Sequence, residues 1–191
     1  MATGTTIAHR GLIAKSGFRP AMIDSMSLSV HRIADAAVAI LTDYGMGDLS
    51  MRRLARDLGV GPSALYWHVK NKQEIFVLVA RRIAAEVDEA IGYGEGMTGA
   101  DILLRMHDVL LRYRDGADIF SLAYAHSGGP VLPAAVRAQI SDEAERHCSV
   151  VLTCAAVAFE QNRALFDSTA GPADSRAALA STLSRIGRIA D

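Results

Sequence analysis

The chain has 191 residues, half of them hydrophobic, which is enough to bury one large or two small cores. Its net charge of −1 hides an asymmetry: residues 1–72 carry nine Lys and Arg against five Asp and Glu, and residues 73–191 carry eleven against sixteen. No apolar run approaches the roughly 18 residues of a membrane span, and residues 1–27 lack the apolar segment of a secretory leader, so a cytoplasmic protein with no membrane partner is expected.

Residues 1–27 mix Thr, Gly and Ser with Arg10, Lys15, Arg19 and Pro20 and show no sustained period, which predicts a flexible arm. Such an arm reaches a DNA minor groove through arginine in some proteins and is a plain disordered leader in others. Ser29 then caps a first helix, with Ile33, Ala37, Ile40, Leu41 and Tyr44 on one face and Gly45 and Gly47 ending it.

Residues 49–72 read as two short helices around a tight turn and the start of a longer one. Ser50 is placed to cap the first, whose apolar stripe is Leu54, Ala55 and Leu58, and Gly59 stands where a helix end needs left-handed backbone. Pro62 opens the second, expected to run to Val69, with Leu65 and Val69 inward and Ser63, Tyr66, Trp67 and His68 pointing elsewhere. A short helix that exposes Tyr, Trp and His fits a helix-turn-helix whose second helix enters the major groove, with Arg52, Arg53, Lys70 and Lys72 near phosphates. A surface hairpin whose aromatics pack on a neighbour has the same spacing.

The segments LTDYG, LSMRRLARDLGV and LYWHVKNK resemble the N-terminal domain of the tetracycline-repressor (TetR) family over about residues 30–80. The resemblance implies an all-α protein. A three-helix DNA-binding domain, residues 28–72, would be joined by a connecting helix to a ligand-binding and dimerisation region within residues 73–191. It also implies DNA contacts from Ser50, Arg52, Ser63, Tyr66, Trp67, His68 and Lys72. Pro62, Ser63 and Ala64 differ from the tetracycline-repressor subgroup at the base-reading turn, so the resemblance does not imply the same operator.

Asn71 and Glu74 predict a capping box that launches a helix through Ile75, Leu78, Val79, Ile83 and Val87 to about Ala90. Its four glycines make IGYGEGMTG, residues 91–99, a flexible joint; a phosphate-binding loop would need a preceding strand. A fifth helix is expected from Ala100 to Arg114, and RDGADIF, residues 114–120, resembles the junction that opens the family's ligand pocket. The subgroup has a histidine for a metal-chelated drug where this chain has Phe120, which implies a small apolar or aromatic ligand taken without a metal. The candidate pocket is Leu103, Met106, His107, Phe120, Tyr124 and His126, a set that a plain core would also contain.

After the SGGP turn, residues 131–146 read as a polar helix and residues 149–166 as one that is apolar nearly all round. AGPADS interrupts it, and Ala177, Leu179, Leu183, Ile186 and Ile189 mark a last helix. The resemblance implies that these last helices pack on their copies in a homodimer. Cys148 and Cys154, six residues apart, face different ways and do not predict a disulfide, and neither a metal nor a cofactor is expected. His68, His107, His126 and His147 are scattered without an acid or nucleophile at a telling spacing, so no enzyme is expected. The function implied is a repressor that binds palindromic double-stranded operator DNA as a homodimer and is released by ligand. An activator of the same fold, or a binding module with little DNA affinity, is the alternative.

Overall fold

A computed structural model describes residues 28–92, 96–166 and 173–186, so the arm expected over residues 1–27 lies outside the described residues. The described chain is helical and contains no strand. Its helices are α1 (Val30–Tyr44), α2 (Met51–Asp57), α3 (Pro62–Tyr66), α4 (Lys72–Ile91), α5 (Gly99–Leu110), α6 (Gly116–Ser127), α7 (Ala134–Gln139), α8 (Glu143–Phe166) and α9 (Ala173–Ile186).

Several ends fall where the side chains require them. Ser29 and Ser50 accept the Arg32 and Arg53 amides and cap α1 and α2. Asn71 accepts the Glu74 amide, but the Glu74 carboxylate reaches the Lys70 amide and not that of Asn71, so the expected box is displaced by one residue. Thr98 and Asp101 form a complete capping box at the start of α5.

Four expected helices have different extents. The second helix of the pair stops at Tyr66, because His68 N–H bonds back three residues to Leu65 and the tightened turn swings Val69 into the core. The helix expected from Ala100 to Arg114 ends at Leu110; three-residue bonds follow to Asp115, which has left-handed backbone (φ 54°). The single helix expected over residues 131–146 is divided, since Ile140 turns into the core with extended backbone and Asp142 starts α8 by accepting the Glu145 amide. The nearly all-apolar helix is buried only in part: Val150, Cys154 and Val157 are covered, while Val151, Phe159, Leu165 and Phe166 are exposed. In α9, Leu179 and Leu183 are buried, and Ile189 lies outside the described residues.

One continuous apolar cluster runs through the molecule. Ile33, Ala37, Ile40, Leu41, Leu54 and Leu65 fill it at the N-terminal end, with Leu58 only partly buried, and Tyr44, at the end of α1, is half-exposed. Helix α4 packs on α1 and also on α5, α6 and α7. Polar ties hold it along its length. Arg82 pairs with Asp35 of α1 at 3.4 Å, and Glu86 receives the Arg112 guanidinium at 2.6 Å and the Tyr113 hydroxyl. At the far end, Asp88 accepts the amides of Ala134 and Ala135 at 2.9 and 3.0 Å and so caps α7. Burial and the adjacent Glu86 carboxylate push the Tyr113 hydroxyl up to about 12.

A second polar network ties α5 to α8 and α9. His107 is fully buried, with Nδ1 3.2 Å from Asp108 and Nε2 3.3 Å from Glu160 of α8. Arg176 of α9 grips both oxygens of Asp108, at 2.8 and 3.1 Å. Burial alone would raise the Asp108 carboxyl, but hydrogen bonds from Arg176 and His107 outweigh it and hold the group below its ordinary range. Stability from the ionised group is therefore complete above the ordinary carboxylate value and lost as pH falls through the lowered one. Asp108→Asn is expected to cost about 1 kcal/mol near neutrality for this partly exposed pair. Urea melts at pH 7 and pH 3 should show the gap between wild type and variant closing below about pH 4.

Candidate nucleic-acid interface and its link to the C-terminal helices

Helices α2 and α3 pack on each other, and the turn between them passes through Gly59 (φ 68°), a conformation that L side chains rarely adopt. Leu54, Ala55 and Leu65 hold this pair against the core, which leaves the far side of α3 to solvent. Tyr66 is 55% exposed and Trp67 89% exposed; Ser63 and His68 are exposed beside them. Arg52 is exposed at the start of α2 with no ion-pair partner among the described residues. The five-residue helix and the turn after it thus present hydroxyl, indole and imidazole groups in one patch bordered by Arg52 and Lys70, the kind of surface that reads base edges and holds phosphates.

The other basic residues have structural work. The Arg53 guanidinium stacks on the Tyr44 ring at 3.7 Å and pairs with Asp48 at 2.8 Å and Asp57 at 3.6 Å, so it fastens α2 to the end of α1. Ser50 is half-buried, with its hydroxyl committed to the α2 cap. Lys72, also half-buried, places Nζ 3.4 Å from the Met46 carbonyl and 5.3 Å from the Phe76 ring centroid.

Met46 is a second point, besides the Arg82–Asp35 pair, where the two halves of the chain meet through polar groups. Its amide donates to Asp115 Oδ2 at 2.8 Å, from just before α6, while its carbonyl receives Lys72 at the start of α4. Gly45 permits this approach: its φ is 84°, and a Cβ there would stand 2.6 Å from Asp115 Oδ2. A carboxylate in the C-terminal half and an ammonium group on α4 therefore hold the two peptides on either side of Met46. No local pattern announces the Asp115 contact, whose partner is 69 residues away.

The residues expected to line a ligand pocket fall into three settings. Leu103, Met106, His107 and Phe120 are fully buried in the continuous core, with His107 in the Asp108–Glu160 network. Tyr124 is half-buried further along α6, its hydroxyl 3.2 Å from His147 Nδ1 on α8. His126 is exposed near the end of α6. Among the described residues no three His, Cys, Asp or Glu side chains are grouped to hold a metal ion. Both cysteines are free thiols, Cys148 exposed and Cys154 buried.

Fold and surface together define a helical protein that carries a helix-turn-helix on a larger helical body. Residues 33–79 match the family model described as bacterial regulatory proteins, tetR family. Among curated proteins the chain is similar to tetracycline repressor protein class D of Escherichia coli, at 34% identity over 96 residues, 48% of this chain and 44% of that one. It is also similar to the HTH-type transcriptional repressor DrrR1 of Streptomyces coeruleorubidus, at 32% identity over 103 residues, covering 54% and 38%. The matches thus span less than half the length of these relatives. Among solved structures, the crystal structure of BioQ with its natural double-stranded DNA operator aligns over 82% of this chain and 98% of that one, with 28% identity and a TM-score of 0.66. Residues 33–79 thus resemble the N-terminal region of tetR-family regulators, and the described chain shares its helical fold with BioQ.

The link through Met46 makes a structural prediction. Asp115→Ala removes the acceptor of the Met46 amide without touching the apolar core, so exchange of that amide with deuterium should accelerate while amides in the middle of α4 keep their protection. Unchanged exchange at Met46 would mean that the contact contributes nothing to holding the loop.

Proposed function

We propose that this chain is a transcriptional repressor that binds palindromic double-stranded operator DNA as a homodimer and is released by a small ligand bound among its C-terminal helices. The observation that carries the reading is the solvent-facing patch of Ser63, Tyr66, Trp67 and His68 on a helix-turn-helix bordered by Arg52. The relatives named above are transcriptional repressors, and the BioQ structure holds operator DNA. In this reading Tyr66 and His68 read bases, Arg52 and Lys72 meet phosphates, and Ser50 positions α2. The +4 balance of residues 1–72 supplies the attraction to DNA, while the acidic remainder stays clear of it.

Homodimerisation is supported by the uncovered apolar face of α8 and α9. Phe159 is 63% exposed, and with Leu152, Ala156 and Leu179 it borders a groove of about 390 Å³. Covering this face with a second copy would remove it from water and place two α3 helices on a two-fold axis. They would reach successive major grooves about 34–36 Å apart. Ligand binding would act through α4 and the Asp115–Met46 contact, favouring a separation of the two α3 helices that DNA does not accept. DNA must then weaken ligand binding by the same factor. Among the described residues no helix is long and apolar enough to cross a membrane.

Fluorescence anisotropy with the chain's own upstream DNA, against a scrambled duplex at two salt concentrations, tests the reading. The native duplex should bind several orders of magnitude tighter; equal, weak binding to both would favour a binding module without an operator. Tyr66→Ala and His68→Ala should each cost about 1–3 kcal/mol and relax specificity at one base position, whereas Lys72→Ala should weaken all sequences alike and lower the salt slope by about one. Trp67 is the sole tryptophan and is 89% exposed, so its fluorescence should shift on binding native DNA and stay unchanged with Trp-free ligands in the C-terminal region.

A further inference from the structure

We propose that the cleft between α6 and α8 binds a small organic cation, an aromatic amine whose ring lies against Tyr124 and His147 and whose ammonium group meets Glu143. The proposal rests on the ligand-responsive reading above and gives its ligand a place and a charge.

The cleft encloses about 370 Å³ and is lined by Ser121 and Tyr124 from α6 and by Glu143, His147, Val151 and Cys154 from α8. This is the volume of a pocket for a compact organic molecule. The Tyr124 and His147 rings stand 5.6 Å apart between centroids, inclined at 33°, and make an aromatic wall. Their polar tips are joined at 3.2 Å. Val151 continues the wall with an apolar surface. Burial pushes the Cys154 thiol up to about 11, so near neutrality it stays protonated and adds no charge of its own. Gly128 and Gly129 keep the rim low, since a Cβ on either would meet nothing within 4 Å.

Charge selects among small molecules. Glu143 lies one helical turn before His147, is exposed, and has no ion-pair partner among the described residues. The nearby cation on its own helix, Arg146, donates from Nη1 to the carbonyls of Ile140 at 2.6 Å and Ser141 at 3.1 Å; it is outside the cleft lining, although its charge is felt at the Tyr124 hydroxyl. Asp118 on α6 lies outside the cleft lining, so Glu143 is the one carboxylate that lines it. An anionic ligand would meet that carboxylate, and a cation gains it together with the faces of the aromatic wall.

The test uses the full chain and two fluorescent probes that differ only in charge, 2-(2-naphthyl)ethylamine and the neutral 2-(2-naphthyl)ethanol, titrated near neutral pH. The amine should saturate at one per chain and bind at least tenfold tighter than the alcohol. Glu143→Gln should erase that preference, Glu89→Gln on the exposed side of α4 should keep it, and Val151→Trp should weaken both probes by filling the cleft. Equal binding of the two probes, or a preference that survives Glu143→Gln, overturns the proposal. The regulator reading is judged separately, by binding of upstream DNA without any amine. Loss of specific DNA binding with the amine preference intact overturns that reading alone, and specific DNA binding without an amine preference overturns the cleft alone.

Discussion

Helix α4 buries Ile75, Phe76, Val77, Val79, Ala80, Ile83, Ala84 and Val87, and it does so against α1 on one side and α5, α6 and α7 on the other. Each large side chain among these is worth about 1.5–3 kcal/mol relative to exposure, so neither neighbour can be lost without a cost comparable to the whole stability of a domain. The helix-turn-helix and the C-terminal helices therefore share one apolar core. Polar groups then determine how α4 sits within it: Lys72 at its start meets the Met46 carbonyl, Arg82 meets Asp35, Glu86 takes Arg112 and Tyr113, and Asp88 caps α7. Apolar burial supplies the energy, and these ties supply the position.

The Met46 loop gives that position a consequence for α3. It lies between α1 and α2, and both its amide and its carbonyl are held from outside the first three helices. A displacement of α6 moves Asp115, and a displacement of α4 moves Lys72; both act on the same residue, Met46. Close-packed interiors respond to such changes by switching between arrangements and deform little continuously. The cleft proposed for an organic cation lies between α6 and α8, so a ligand there would press on the helix whose start carries this contact.

The C-terminal helices differ from α4 in what they leave uncovered. Asp108 and Arg176 join α5 to α9 through a partly buried ion pair, with His107 packed between Asp108 and Glu160 of α8, while Phe159, Leu165 and Phe166 remain in water on α8. Networks of this kind specify which helices meet and contribute modestly to net stability, because desolvation offsets most of the attraction. The alternation of a specified inner face and an uncovered outer face fits helices with a further surface to bury.

Much of the N-terminal half was legible in the sequence because its signals are local. Ser29, Ser50, Asn71 and Pro62 act on amides or dihedrals within a few residues, and the apolar positions Ile33, Ile40, Leu54 and Leu65 follow a helical period that needs no knowledge of the partner. The exposed Tyr66, Trp67 and His68 follow from the same count. Helix ends in the second half were less legible, because distant atoms decide them. Asp115 leaves helical backbone where it reaches Met46, and Ile140 breaks a polar helix where it enters the core. The same holds for chemistry: Arg53 reads as a phosphate contact until Tyr44, Asp48 and Asp57 are seen to hold it. Sequence by itself determined most of the helical segments, α6 excepted, and most of the apolar faces, since period and capping are properties of neighbours in the chain. Only the tertiary structure decided which charges are already paired, where the helices stop and where open volume remains, since each depends on atoms brought close by packing.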